Sequence, residues 1–213
     1  MLTTQKVFER YEKIRPRLPQ ANYPRATSVI TSILEISDEM DAFIFDAFGV
    51  LNLGNQLISG ADYALKELRS AGKEVRVLTN AASYDKTGAV EKFSDLGIRF
   101  EIQEIITSRD AAIQSLKPGF WGVISAADDK LSDLNFNYIQ LENDIRAYDK
   151  VDGFLFLSTS EWNSKKQDLL QRSVLKNDRP VIIANADLVA PRENGFTLEP
   201  GFYGHELVDL GAS

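Results

Sequence analysis

Short apolar runs alternate with amphipathic stretches along most of the chain. Phe43-Ile44-Phe45 is aromatic and β-branched, and predicts a buried strand over 42–46. Val75-Arg76-Val77-Leu78 predicts a second strand, and residues 104–107 a third. Between them, Ala61, Ala64, Leu65 and Leu68 share one face of a helix over 60–71, which Gly72 ends. Val90, Phe93 and Leu96 mark a further helix over 85–96, ended by Gly97. Strand–helix–strand–helix–strand with short links is the pattern of an α/β protein with a doubly wound parallel sheet.

The flanking stretches carry the same two periods. Val7, Phe8, Tyr11 and Ile14 align on a helix over 3–15, and Pro16, Pro19 and Pro24 interrupt it. Val29, Ile30, Ile33 and Leu34 predict a short helix over 26–36 facing inward. Further on, 121–124, 153–157 and 181–184 are apolar strands, with helices near 127–134 and 163–176. Asp128 and Asp129 suit the first turn of the former helix. Trp121 and Trp162 are expected in the core.

Composition narrows the function classes. Of 213 residues, 44% are apolar and 26% charged, as in ordinary globular domains. A net charge of −7 argues against nucleic acid as a main partner. No run reaches the length of a membrane span. The N-terminus carries charges where a signal peptide needs its apolar region, so the expected location is cytoplasmic. Cysteine is absent, which removes disulfides and thiolate metal sites. The single histidine, His205, excludes a multi-histidine metal site, and no Gly-x-Ser-x-Gly elbow accompanies it.

The candidate chemistry lies at strand ends. Asp46 closes the first strand, with Gly49 allowing a sharp turn just after it. Thr79 and Asn80 close the second strand. Open α/β sheets place ligands at this carboxyl edge. If the two strands are neighbours, about 4.8 Å separates them, and a carboxylate and a hydroxyl face one oxyanion. Asn80 to Ser83 are expected to open the next helix, whose amides and dipole favour phosphate. The structural alternatives are a turn aspartate and helix-capping Thr79 and Asn80. Asn185 and Asp187 follow the strand over 181–184, where they either face this site or form a turn.

Phe45-Asp46-Ala47-Phe48-Gly49-Val50-Leu51 and Leu78-Thr79-Asn80 resemble the first two motifs of the haloacid dehalogenase superfamily of phosphohydrolases. Thirty-three residues separate Asp46 from Thr79, too few for a large insertion, whereas a long segment follows Thr79. That order is similar to the late-capped subfamily of N-acetylglucosamine-6-phosphate and p-nitrophenyl phosphatases. Ile106-Thr107-Ser108, Ala184-Asn185-Ala186-Asp187 and Pro200-Gly201 resemble it too. The resemblance implies a Rossmann-like core over 1–107, an inserted α/β cap over 108–198, and a return to the core over 199–213. It also implies catalysis by Asp46, which forms an aspartyl-phosphate, with Thr79 holding a phosphoryl oxygen. Phe48, Gly49, Asn80, Ala81, Asn185 and Asp187 would line the phosphate or substrate site. Mg²⁺ would bind Asp46 and the backbone carbonyl of Phe48, and the substrate would be a small phosphorylated metabolite.

Two departures shape the expectation. Phe48 stands where the family's phosphatases carry a general-acid aspartate, and phenylalanine moves no proton. The family's later Gly-Lys-Pro and Gly-Asp-x-x-x-x-Asp motifs are missing, and the sequence ends at Gly211-Ala212-Ser213. The core is therefore expected to be incomplete at its C-terminus. The expected protein is a fragment or shortened phosphatase of reduced or no activity, with Mg²⁺ weak or absent. A non-catalytic relic that binds phosphorylated metabolites is the alternative. A homodimer is compatible with either, and a membrane partner with neither.

Overall fold

The computed structural model describes residues 2–192 and 195–212; Met1, Glu193, Asn194 and Ser213, at the limits of or inside the stretches assigned above, lie outside the described residues. In chain order the elements begin with α1 (Thr4–Ile14), 3₁₀ turns at Arg15–Arg17 and Ile33–Glu39, and β1 (Ala42–Asp46). A small hairpin of β2 (Asn52–Leu53) and β3 (Gln56–Leu57) follows, then α2 (Ala61–Ser70), β4 (Glu74–Thr79), α3 (Lys86–Asp95) and β5 (Ile105–Thr107). Next come α4 (Ser108–Ser115), β6 (Trp121–Ile124), β7 (Tyr138–Gln140), α5 (Ile145–Lys150), β8 (Gly153–Phe156) and α6 (Ser164–Asn177). The chain closes with β9 (Val181–Ile183), a hairpin of β10 (Val189–Arg192) and β11 (Gly195–Leu198), and α7 (Pro200–Asp209).

Two compact units share these elements. One comprises Pro16–Thr79 and Lys86–Ile106. Its sheet has the order β1-β4-β5. β1 and β4 run parallel, with Phe43 opposite Val75 and Asp46 opposite Leu78. Strand alternation then sorts the side chains. Phe43, Val75, Val77 and Ile105 are buried, as are Leu65 and Leu68 of α2, which packs on β4. The other face stays open: Ile44, Leu78 and Ile106 are 65%, 50% and 42% exposed. Gly72 and Gly97 end α2 and α3 with φ of +74° and +86°. Their positive φ lets the next residue, Lys73 or Ile98, donate back into the last turn, to Leu68 and Phe93. These are the carbonyls a helix end leaves unmatched.

The other unit comprises Met1–Arg15, Asn80–Asp85 and Thr107–Ser213. Its sheet has the order β7-β6-β8-β9, all parallel. β8 is an unbroken apolar run, the mark of a strand covered on both faces. Phe154 and Phe156 pack with Tyr148, Leu170, Val174 and Leu207. Leu155 turns the other way, to Val123, Leu131, Ala82 and Ala184. α7, from the segment set apart above as 199–213, packs on β9 in this unit.

The strands expected over 42–46, 75–78, 104–107, 121–124, 153–157 and 181–184 all form. Three helical expectations do not hold as stated. Residues 26–32 are irregular, and only a 3₁₀ helix begins at Ile33, capped by Ser32 Oγ accepting from the Leu34 amide at 3.2 Å. Ile33 and Leu34 are half-buried where the 3₁₀ helix meets α2, but Val29 is 96% exposed and finds no cover, and packing rather than pattern stabilises short helices. Residues 127–134 form turns, because Asp129 and Asp133 bind Arg109 instead of capping a helix. The third concerns the residues after Thr79: α3 begins at Lys86, and 80–85 are a non-helical turn.

Candidate active site

β1 delivers Asp46 to the carboxyl rim of its sheet, on the exposed face. The Ala47 amide donates to Asp46 Oδ1 at 2.7 Å and orients the carboxylate. The chain then turns sharply. The Ala47 carbonyl accepts from the amides of Leu51 and Asn52 at 2.8 and 3.1 Å. The Gly49 amide donates to the Asn52 carbonyl at 2.8 Å, with Gly49 at φ +88°. That left-handed φ is the reason for glycine at this position. Phe48 sits within the turn, half-buried. On the neighbouring strand, Thr79 stands one residue past the partner of Asp46. It is buried, continuing the face of Val75 and Val77. Asp46 and Thr79 thus end adjacent parallel strands but continue opposite faces of the sheet, so the expectation that carboxylate and hydroxyl face one oxyanion does not follow from this register.

A second group of expected residues comes together in the other unit. Asn80 Nδ2 donates to Asn185 Oδ1 at 3.2 Å and to Asp187 Oδ2. The Asp187 amide donates to Asn185 Oδ1 at 3.0 Å, closing a side-chain turn. This turn follows β9, at the carboxyl end of its sheet. Ala81 lies in the 80–85 turn, half-buried. Ala82 is buried in the apolar cluster beside β8, and Ser83 Oγ lies 3.4 Å from Ser158 Oγ. Because 80–85 are not helical, the helix-dipole argument for phosphate at Asn80 to Ser83 falls.

Glu199 joins the second group although the sequence reading did not single it out. Its Oε2 accepts from Asn185 Nδ2 at 3.3 Å and its Oε1 from Thr197 Oγ1 at 3.2 Å. The available signal was an acid directly before Pro200-Gly201. Burial holds the Glu199 carboxyl above the ordinary carboxylate value, and the charge of Asp187 adds to it. Thr197, Arg192 and Asn185 act in the opposite sense without reversing it. The folded state thus holds this proton more readily than the unfolded state. Stability contributed here falls as pH rises through that window, and the cost is fully present above it. Glu199→Gln is therefore expected to raise the melting temperature at pH 7. The gain should close below pH ~4, where both states are protonated; thermal melts at both pH values check this.

The oxygen donors at the rim suit a hard cation such as Mg²⁺. Asp46 offers one carboxylate and Phe48 one carbonyl. Among the described residues, no group of three or more His, Cys, Asp or Glu side chains stands ready for a metal ion. Mg²⁺ keeps several waters and takes one or two carboxylates with substrate oxygens, so Asp46 and the Phe48 carbonyl would hold it with water completing the shell. Nor is any helix of the described residues long and apolar enough to cross a membrane.

Comparison with known proteins gives the family of the stretch that carries the rim. Residues 43–130 match the model of a family described as haloacid dehalogenase-like hydrolase. Residues 43–130 belong to the haloacid dehalogenase-like hydrolases. Among curated members the chain is 30% identical over 167 residues to phosphoglycolate phosphatase 2 of Arabidopsis thaliana, covering 77% of this chain and 51% of that protein. The matches span only 25% to 51% of the length of the phosphoglycolate phosphatases concerned. Among solved structures, a possible sugar phosphatase of the haloacid dehalogenase superfamily from Cytophaga hutchinsonii superposes with a TM-score of 0.74 at 20% identity, over 87% of this chain and 69% of that one. A glycerol phosphate phosphatase from Mycobacterium tuberculosis, solved in complex with magnesium, gives a TM-score of 0.64 at 18% identity, over 82% and 52% of the two chains. These superpositions establish the haloacid dehalogenase-like fold of the chain.

Proposed function

We propose that the chain carries the nucleophile half of a phosphatase acting on a small phosphorylated metabolite. The observation that carries this reading is the solvent-facing Asp46 carboxylate at the end of a strand paired in parallel with the strand that ends in Thr79. In the proposed step an Asp46 oxygen attacks phosphorus, and the bond from phosphorus to the leaving oxygen breaks. The leaving group departs with that electron pair, and water then cleaves the aspartyl-phosphate to inorganic phosphate. Covalent catalysis of this kind divides one hard displacement into two easier ones. Thr79 holds a phosphoryl oxygen. Phe48, Gly49 and Ala81 line the approach, and Asn80, Asn185 and Asp187 contact the substrate. Segments 1–107, 108–198 and 199–213 act as core part, cap and returning segment. A cytoplasmic location suits the cysteine-free composition.

Phe48 sets a chemical limit. With no acid to protonate the leaving group, leaving groups that need no proton are favoured. A positioned general acid is worth about 10²–10⁴ in rate. Turnover of p-nitrophenyl phosphate is therefore expected to exceed that of an alkyl phosphate by roughly that factor. The deciding experiment compares the native chain with Asp46→Asn on p-nitrophenyl phosphate with Mg²⁺ added. Loss of turnover to background in the variant supports the reading, and equal rates sink it.

A second reading, a non-catalytic phosphometabolite-binding protein, draws on Phe48. It expects equal background rates in that assay, together with retained binding of inorganic phosphate by both proteins. A homodimer belongs to either reading, and sedimentation decides it.

A further inference from the structure

Arg109, in the first turn of α4, is fully buried, and arginine is rarely so unless paired. All five of its N–H groups are engaged. Nε and Nη2 fork onto Asp133 at 2.7 and 2.6 Å. Nη1 and Nη2 fork onto Asp129 at 2.5 and 3.2 Å. The fifth bond runs from Nη1 to the carbonyl of Ala82 at 3.2 Å. A guanidinium has five donors, so none is left for a phosphate, and Arg109 is not a substrate ligand.

The two aspartates lie in the 126–134 stretch of turns. Leu131 there adopts φ +52°, and its amide donates to Asp129 Oδ1 at 3.0 Å. The same stretch grips the 80–85 turn twice more. Ser132 Oγ donates to Asp85 Oδ2 at 3.2 Å, and Leu131 and Leu134 share an apolar cluster with Ala82. Burying three charges seldom repays its desolvation better than apolar packing does. What the triad adds is geometry: a rigid planar fork holds two carboxylates and one backbone carbonyl in fixed relation.

We propose that Arg109 is a positioning residue that, with Asp129 and Asp133, clamps the 80–85 turn and so sets where Asn80 and the turn's amides stand toward a phosphoryl group. The phosphoryl group in this statement rests on the phosphatase reading; the clamp does not. Any shift of the 126–134 stretch is passed to the 80–85 turn through Arg109 and the two contacts beside it.

The test is Arg109→Lys, which keeps the charge and loses the fork. Backbone order parameters from ¹⁵N relaxation are measured along the chain. Residues 80–85 are expected to fall from about 0.85 to below about 0.6, while β6 and β8 keep rigid values. In the same variant, KM for p-nitrophenyl phosphate is expected to rise about tenfold with kcat changed less, as for a misplaced binding element. If Arg109→Lys does not fold, Asp133→Asn decides, since it keeps an oxygen acceptor at a partly exposed position; a smaller drop confined to 80–85 is then expected. Unchanged order at 80–85, or order lost evenly through the unit, overturns the proposal. Order lost at 80–85 while Asp46→Asn keeps the native rate leaves the clamp standing and removes the phosphatase reading.

Discussion

Gly201→Ala is expected to destabilise its unit by about 3 kcal/mol or more. A Cβ built on Gly201 falls 2.1 Å from the Ala186 carbonyl oxygen and 2.6 Å from that of Asp187. Both atoms are backbone, so no side chain can rotate away. The first turn of α7 must then lift off the 185–187 turn, which carries Asn185 and Asp187. The helix-propensity gain of alanine over glycine, about 1 kcal/mol, offsets only part of this. Gly204→Ala is the control. Its Cβ meets only the Ile183 side chain, at 3.0 and 3.1 Å, and a side chain can give. Denaturant unfolding followed by tryptophan emission measures both variants. Trp121 and Trp162, the only tryptophans, lie in this same unit. Equal midpoints for the two variants would refute the argument.

Phe156→Ala is expected to cost about 3–5 kcal/mol, as for other fully buried phenylalanines. Phe156 has no solvent exposure, and its ring lies 4.7 Å from that of Trp162 and 6.2 Å from that of Tyr203. The loss therefore combines transfer, a cavity and two ring contacts. Phe8→Ala removes the same atoms from a ring that is mostly in water, and should stay within about 0.5 kcal/mol of the native chain. Emission of Trp162 is expected to shift to the red in Phe156→Ala before unfolding, because water reaches the opened space. An unshifted spectrum with a native midpoint would contradict this packing.

The sheet strands were legible because apolar runs such as Phe43-Ile44-Phe45 and Phe154-Leu155-Phe156 both form strands, but the runs do not tell burial: the second is covered on both faces, whereas Ile44 is exposed. α2 and α3 were legible because their apolar periods end at Gly72 and Gly97, whose positive φ the structure uses. The 26–36 stretch misled because periodicity records an apolar face, not whether anything covers it. The 127–134 stretch misled for another reason. Adjacent acids suit a first helical turn, but a buried arginine twenty residues earlier in the chain takes Asp129 for itself. β7, α4, α5 and the β10–β11 hairpin are short and nearly patternless, and only their neighbours define them. The positions of Asp46 and Thr79 at the ends of neighbouring strands were readable from the apolar runs before them. Arg109 was not, since its partners stand 20 to 27 residues away, and Glu199 was not, since its neighbours Thr197 and Asn185 carry no pattern that marks an acid.

The open face of the three-stranded sheet has a consequence for Asp46. Ile44 precedes it by two residues on the same strand, and Leu78 is its partner across the ladder, so the carboxylate stands at the border of an oily surface. A polypeptide laid over those two aliphatic side chains would dry the acid on that flank in the same motion. The hydration of the carboxylate is thereby tied to how that surface is sheltered.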